Sequence, residues 1–113
     1  MLIYKIFTAD QWRELDAAGD TAGAPVDLAD GYIHFSTAVQ AAETASKHFG
    51  GQVGLVLAAV DPDPLGDALV WEVSRGGALF PHLYARLKRS DVLWVKELPI
   101  GPDGAHVFPE GML

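Results

Sequence analysis

The 113-residue sequence contains no cysteine, and this absence excludes disulfide bonds, thiolate nucleophiles and cysteine-ligated metal sites. Its apolar runs, such as residues 53–60, are far shorter than the roughly 20 residues that a membrane-spanning helix needs. The first seven residues lack the positive lead and the small-residue cleavage site of a signal peptide. We therefore expect a cytoplasmic protein that does not bind membranes.

Positive charge is also scarce. Eight lysine and arginine residues stand against 15 aspartate and glutamate residues, which gives a formal net charge of -7. Because such a surface repels polyanions, we expect no binding to a nucleic-acid duplex. One local exception is the basic cluster Arg86, Lys88 and Arg89, which follows Tyr84. Such clusters are most often solvated surface, but this one could hold a small anionic ligand such as a phosphate.

Strand-like and helix-like segments alternate along the chain and predict an α+β protein. We expect a compact single domain over residues 1–113, with mixed or antiparallel sheets and two helices in the N-terminal half. Capping boxes at Thr8 and Thr37 begin these helices, and residues 19–29 are expected to form a long loop that could act as a lid. The strands are predicted at residues 2–7, 31–36, 53–60, 69–73, 92–98 and about 105–108.

Residues 30–37, with the sequence DGYIHFST, combine apolar and polar side chains on one predicted strand that leads into a helix. Two apolar side chains fall on one face, whereas Tyr32, His34 and Ser36 fall on the other. His34 is either a hydrogen-bonding or acid–base group for a ligand, or a half-buried histidine bonded to a backbone carbonyl. Ser36 and Thr37 have a sufficient role as helix caps, although a helix start can also hold an anion.

Two later segments carry further candidates. Trp71 is expected in the core and Glu72 on the surface, unless that surface is the wall of a pocket. Pro81 is expected to fix a bend, after which His82 and Tyr84 share a face. An imidazole beside a phenol can cradle a base or a sugar, but the pair can equally close the edge of a core. No close-spaced pair of histidines supports a metal site, and we predict none.

Motifs in a specific order and spacing cover nearly the whole chain. They are Tyr4-Lys5-Ile6 with Trp12, the stretch 30–37 with Gln40 and Thr44, Trp71-Glu72, and the stretch 80–84. Together they resemble a small bacterial family, domain of unknown function 952. The resemblance implies a compact α+β fold related to the ADP-ribosyltransferase superfamily, whose members bind NAD in a cleft between two sheets.

The resemblance also implies residue roles. In that superfamily a histidine on an early strand contacts the NAD ribose, an aromatic residue stacks near the nicotinamide, and a late acidic residue activates the transfer. His34 matches the first role by its position, and Tyr84 is the candidate for the second. Glu72 and Glu97 are both candidates for the acid, and the resemblance does not single out either.

Three functional hypotheses follow. The first is a cleft for NAD or a related nucleotide-type small molecule, with transfer or hydrolysis at a ribose as the reaction. Its candidate catalytic residues are His34, Glu72 and His82, and its candidate ligand-binding residues are Tyr32, Ser36, Thr37, Gln40, Thr44, Tyr84 and Arg86. The second hypothesis is a non-catalytic small-molecule binding or sensing domain, and the third is a structural or interaction module. The sequence does not indicate the oligomeric state.

Overall fold

The computed structural model describes residues 1–112, with the backbone alone for Arg75. Its three α-helices are α1 (Ala9–Ala18), α2 (Pro25–Asp30) and α3 (Ala38–Phe49). Its strands are β1 (Ile3–Thr8), β2 (Asp20–Thr21), β3 (Ile33–His34), β4 (Ser36–Thr37), β5 (Leu55–Val60), β6 (Leu69–Val73), β7 (Leu79–Leu83), β8 (Leu87–Lys88) and β9 (Val92–Glu97). Short 3-10 segments lie at Asp63–Ala68, Arg75–Gly77 and Arg89–Asp91.

The largest sheet contains four antiparallel strands in the order β4-β1-β5-β9. Its central strand β5 is almost entirely buried, as its continuous apolar sequence predicts for a strand that is covered on both faces. One face packs against a cluster that includes Phe7 and Leu15, and the other packs against a cluster that includes Ala45 and Leu98. The α+β class and the antiparallel sheets are therefore confirmed.

A second sheet has the order β3-β7-β6, and β2 pairs with β8 separately. The prediction of one continuous strand over residues 31–36 is wrong, because the chain changes sheets at Phe35. The backbone amide of Phe35 donates to the carbonyl of Pro81 in the second sheet, whereas Ser36 already pairs with Tyr4 in the first. Pro81 itself lies within β7 rather than at a bend.

The two predicted capping boxes are confirmed at the starts of α1 and α3, where Thr8 and Thr37 accept hydrogen bonds from backbone amides. Residues 19–29 are not a plain loop, since they contain β2 and most of the unpredicted helix α2. Pro25 occupies the start of α2, where its missing amide is harmless, and Asp27 caps the amide of Ala24. A six-residue helix is too short to show an amphipathic period in the sequence.

Two smaller predictions are also corrected. Trp71 is not a core residue, since it is 38% exposed at the edge of the second sheet. Residues 105–108 form no strand, because their pairing is limited to a single bridge between Ile100 and His106. Among residues 1–112, no helix is long and apolar enough to cross a bilayer.

Candidate functional site

A buried ion pair between Lys5 and Asp27 lies at the base of the site. The Nζ atom of Lys5 is 3.0 Å from Oδ2 of Asp27, and the exposed fractions of the two side chains are 7% and 0%. Lys5 also donates to the backbone carbonyl of His34 at 3.0 Å. Because a buried charge is costly without a partner, this pair ties β1 to α2 and to the strand that carries His34.

Asp27 also fixes the imidazole of His34. Its Oδ1 atom lies 2.6 Å from Nδ1 of His34 and accepts the backbone amide of the same residue at 3.0 Å. With Nδ1 donating its proton to Asp27, the ring presents Nε2 on its other side, where the carboxylate of Asp30 lies 2.9 Å away. Two carboxylates therefore set the orientation of the His34 side chain, which is 31% exposed.

A second histidine–carboxylate pair lies directly across the sheet. His82 is the cross-strand partner of His34 in the β3–β7 ladder. Its Nδ1 atom is 2.8 Å from Oε1 of Glu72, and the hydroxyl of Tyr84 donates to the same oxygen at 2.7 Å. His82 and Tyr84 thus share a face as predicted, and Glu72 joins them instead of facing bulk solvent alone.

The aromatic rings of this region form one stack around Tyr32. The ring of Tyr32 lies 4.1 Å from that of His82 in a nearly parallel arrangement, and it lies 4.7 Å from His34 and 5.1 Å from Tyr84. The two imidazoles meet edge to face at 5.4 Å between centroids. Two of the polar side chains predicted on one face of residues 30–37 therefore contact His82 and Tyr84, which lie about fifty positions later in the chain.

A cavity of about 550 Å³ opens beside the two histidines. It exists because β4 pairs with β1 only through Ile3 and Tyr4, which leaves the edge of β1 uncovered from Lys5 onward. The polar residues of its wall include Lys5, Asp30, His34, Ser36, Thr44 and His82. The volume lies within the roughly 300–1,000 Å³ of small-molecule sites.

The carboxyls of Asp27 and Glu72 are ionised at neutral pH. Burial opposes the charge on Asp27, but its hydrogen bonds with His34 and the charge of Lys5 outweigh burial and lower its pKa to about 2. The hydrogen bond from Tyr84, followed by that from His82, lowers the pKa of Glu72. The same bond to Glu72 raises the pKa of Tyr84 to about 12. Burial lowers the pKa of Lys5, and Asp27 opposes this effect.

Several residues predicted as ligand contacts have partners within the protein. Thr37 and Gln40 cap each other's backbone amides, and the amide nitrogen of Gln40 donates to the carbonyl of Leu79 at 2.7 Å. The hydroxyls of Ser36 and Thr44 are 2.8 Å apart, and both residues belong to the cavity wall. Ser36 and Thr44 are therefore the better placed of these candidates.

Other predicted residues lie away from the cavity. Arg86 belongs to a different part of the surface, where it pairs with Asp20 at 2.9 Å, and Arg89 of the same basic cluster pairs with Asp16. Glu97 lies at the end of β9 in the four-stranded sheet, apart from both histidines. Tyr84 touches the cluster through Glu72 and Tyr32 but is not part of the cavity wall. Within residues 1–112, no group of three potential ligands is arranged to hold a metal ion.

The sequence interpretation missed Asp27, Lys5 and Asp30 as site residues. A signal for the first two was present, because Lys5 shares the inward face of β1 with Ile3 and Phe7. A lysine between two core residues requires a buried anion. Its partner could not be identified from the sequence, since Asp27 lay in the segment that was predicted to be a loop.

Comparison with known proteins identifies close relatives of the whole chain. The crystal structure of protein CC0527 from Caulobacter crescentus matches with a TM-score of 0.91 and 50% identity, over 95% of this chain and 94% of that one. The solution NMR structure of the same protein matches with a TM-score of 0.84 and 52% identity, over 92% and 90% of the two chains. No curated protein matches the sequence. A family model described as "Protein of unknown function (DUF952)" matches residues 6–95, and the chain therefore belongs to the DUF952 family.

Proposed function

We propose that the cavity binds NAD or a related nucleotide-type ligand, in a cleft of ADP-ribosyltransferase-like design, and promotes hydrolysis or transfer at the ribose. One observation carries this proposal. His34 and His82 lie opposite each other on neighbouring strands, both contribute to one cavity wall, and each ring is held by its own carboxylate. Two oriented imidazoles at a cavity are typical of sites that handle hydroxyl groups and protons.

In this proposal His34 contacts the ribose. With Nδ1 committed to Asp27, its Nε2 atom and the neighbouring carboxylate of Asp30 offer one hydrogen-bonding edge toward the cavity. A ribose diol suits such an edge, because its hydroxyls can donate to the carboxylate of Asp30 and can take the place of that carboxylate at Nε2. Ser36 and Thr44 supply further hydroxyls in the same wall.

Glu72 is the better of the two candidate carboxylates, but not as an acid. Its hydrogen bonds lower its pKa, so that it is an anion at neutral pH and cannot donate a proton. An anion near the ribose would stabilise the positive charge that develops on C1′ while the glycosidic C–N bond breaks. The bonding electrons leave with the nicotinamide nitrogen, and water adds to C1′ while its proton passes to a base, for which His82 is the candidate.

Ligand binding is tested by thermal unfolding in the presence of NAD, ADP-ribose and simple nucleotides. A ligand at a hundredfold excess over its Kd should stabilise the protein by about 2.7 kcal/mol. His34→Ala should remove this stabilisation. The matched control is His106→Ala, since His106 bonds to the carbonyl of Gln52 away from the cavity. Equal ligand responses in the two variants, or none in the wild type, would count against the proposed site.

Catalysis is tested by release of nicotinamide from NAD, followed by chromatography. We expect Glu72→Gln to lower the rate by about a hundredfold, because the variant keeps the shape but loses the charge that stabilises the transition state. Glu97→Gln is the matched control and should retain the wild-type rate. A larger loss in Glu97→Gln than in Glu72→Gln would show that the wrong carboxylate has been chosen.

A binding or sensing domain is the second candidate function. It is favoured by the two hydrogen bonds that Glu72 already accepts on one oxygen, from His82 and Tyr84, because a carboxylate so engaged can serve to hold the aromatic cluster together. If a ligand stabilises the wild type but not His34→Ala, and no turnover is detected, the binding or sensing function is favoured over catalysis.

A further inference from the structure

The cavity beside His34 and His82 has few positive charges. Among the wall side chains that the structure describes, Lys5 alone carries a permanent positive charge. That charge is already matched, since Lys5 contacts the carboxylate of Asp27 and the carbonyl of His34. Phosphate sites in proteins usually present arginine, lysine or a set of free backbone amides to the ligand. The described side chains of the wall therefore offer little to a phosphate.

Two carboxylates, in contrast, lie beside the histidines: Asp30 belongs to the cavity wall, and Glu72 is paired with His82 next to that wall. The side chains of Asp30 and Glu72 are 45% and 38% exposed. Asp30 contacts the imidazole of His34, and Glu72 contacts the imidazole of His82 and the phenol of Tyr84. Partial burial raises the pKa of the Tyr32 phenol, and the charges of Asp30 and Glu72 raise it further. The potential at the centre of the aromatic stack is therefore negative.

Basic side chains with described partners lie on other surfaces. Arg86 pairs with Asp20, Arg89 pairs with Asp16, and Lys47 pairs with Glu43 along α3. None of these three basic residues belongs to the cavity wall. Each is already paired with a carboxylate, so that they contribute little to the binding of a ligand phosphate placed next to the histidines.

We infer that the part of the ligand that enters beside His34 and His82 is a phosphate-free N-glycoside whose base is cationic or neutral. This inference rests on the proposed function and names the ligand class for the same site. A cationic aromatic base, such as the pyridinium of a nicotinamide nucleoside, is attracted by Asp30 and Glu72. It is also suited to the edge of the aromatic cluster around Tyr32, of which His34 and His82 lie in the cavity wall. Phosphates of a larger ligand lie outside this end of the cavity.

The test compares three ligands that share one ribosyl group. They are nicotinamide riboside, its uncharged dihydro form, and its 5′-phosphate, and their Kd values are measured by NMR titration at low salt. We expect the cation to bind about three- to tenfold more tightly than either relative.

Asp30→Asn provides the decisive variant, since it removes one charge while keeping the side-chain shape. It should reduce the preference for the cation and improve binding of the 5′-phosphate. The matched control is Asp67→Asn, an exposed residue of the 3-10 segment Asp63–Ala68 that loses the same charge outside the cavity wall. It should leave the order of affinities unchanged.

Failure of this inference is distinguishable from failure of the proposed function. Tighter binding of the 5′-phosphate than of the riboside, with binding still lost in His34→Ala, would overturn the phosphate-free class but keep the site. Equal shifts in the order of affinities for Asp30→Asn and Asp67→Asn would also overturn it, because a general charge effect would then explain the preference. If none of the three ligands binds, the proposed function fails together with the inference.

Discussion

At the scale of single residues, Asp27 joins β1, α2 and β3 through four polar contacts. Its two carboxylate oxygens receive the ammonium of Lys5, the imidazole and backbone amide of His34, and the backbone amide of Ala24. Gly23 approaches so closely that a Cβ atom added there would lie 2.5 Å from the Asp27 side chain. The position therefore combines a helix cap, a buried ion pair and the support of a site residue.

We predict that Asp27→Asn destabilises the fold by about 3–5 kcal/mol, because it leaves the buried ammonium of Lys5 without a charged partner. Unfolding in urea measures the loss. The double variant Lys5→Met with Asp27→Asn removes both charges and should recover a large part of it. If the double variant is as unstable as the single one, the cost comes from the lost cap and not from the unpaired charge.

The same carboxyl predicts a pH dependence. Its pKa is about 2 in the folded protein, against about 3.9 in an unfolded chain, so its stabilisation is fully present above pH 4 and is lost as pH falls toward 2. The contribution is about 2–3 kcal/mol. The difference in unfolding free energy between wild type and Asp27→Asn should therefore shrink between pH 5 and pH 2. A difference independent of pH would contradict this assignment.

At the scale of elements, the short pieces decide where the site lies. Helix α2 has six residues and brings both Asp27 and Asp30 to His34, while β4 has two residues and leaves the edge of β1 open. The long elements β5 and α3 provide the surface against which these pieces pack. The core is thus built by elements that the hydrophobic pattern predicts well, and the site by elements that it does not.

A substitution of Thr37 tests whether this predicted ligand contact is instead a helix cap. Its hydroxyl accepts the amide of Gln40 at the start of α3. We predict that Thr37→Ala lowers the free energy of unfolding by about 1 kcal/mol and leaves ligand affinity unchanged. Thr8→Ala, which removes the equivalent cap of α1, is the matched control for stability. A loss of affinity in Thr37→Ala alone would return Thr37 to the binding site.

At the scale of the whole molecule, the cavity lies where the chain crosses from the second sheet to the first. The chain leaves the second sheet after His34 and enters the first at Ser36, so that the two-residue strands on either side of Phe35 belong to different layers. His82, whose Nδ1 atom is paired with Glu72, then reaches the cavity from the second sheet, and Lys5 reaches it from the first.

The α+β class, both capped helices, the buried strand β5 and the family were predictable from the sequence, because they depend on local capping, on period and on motif order. His34, His82, Glu72 and Tyr84 were likewise identified as candidates. The folded arrangement was needed to show that these side chains meet, that Asp27 and Lys5 support them, and that Glu97 and Arg86 lie elsewhere. Contacts between residues fifty positions apart depend on sheet register and on the crossing at Phe35, and neither leaves a periodic signal in the chain.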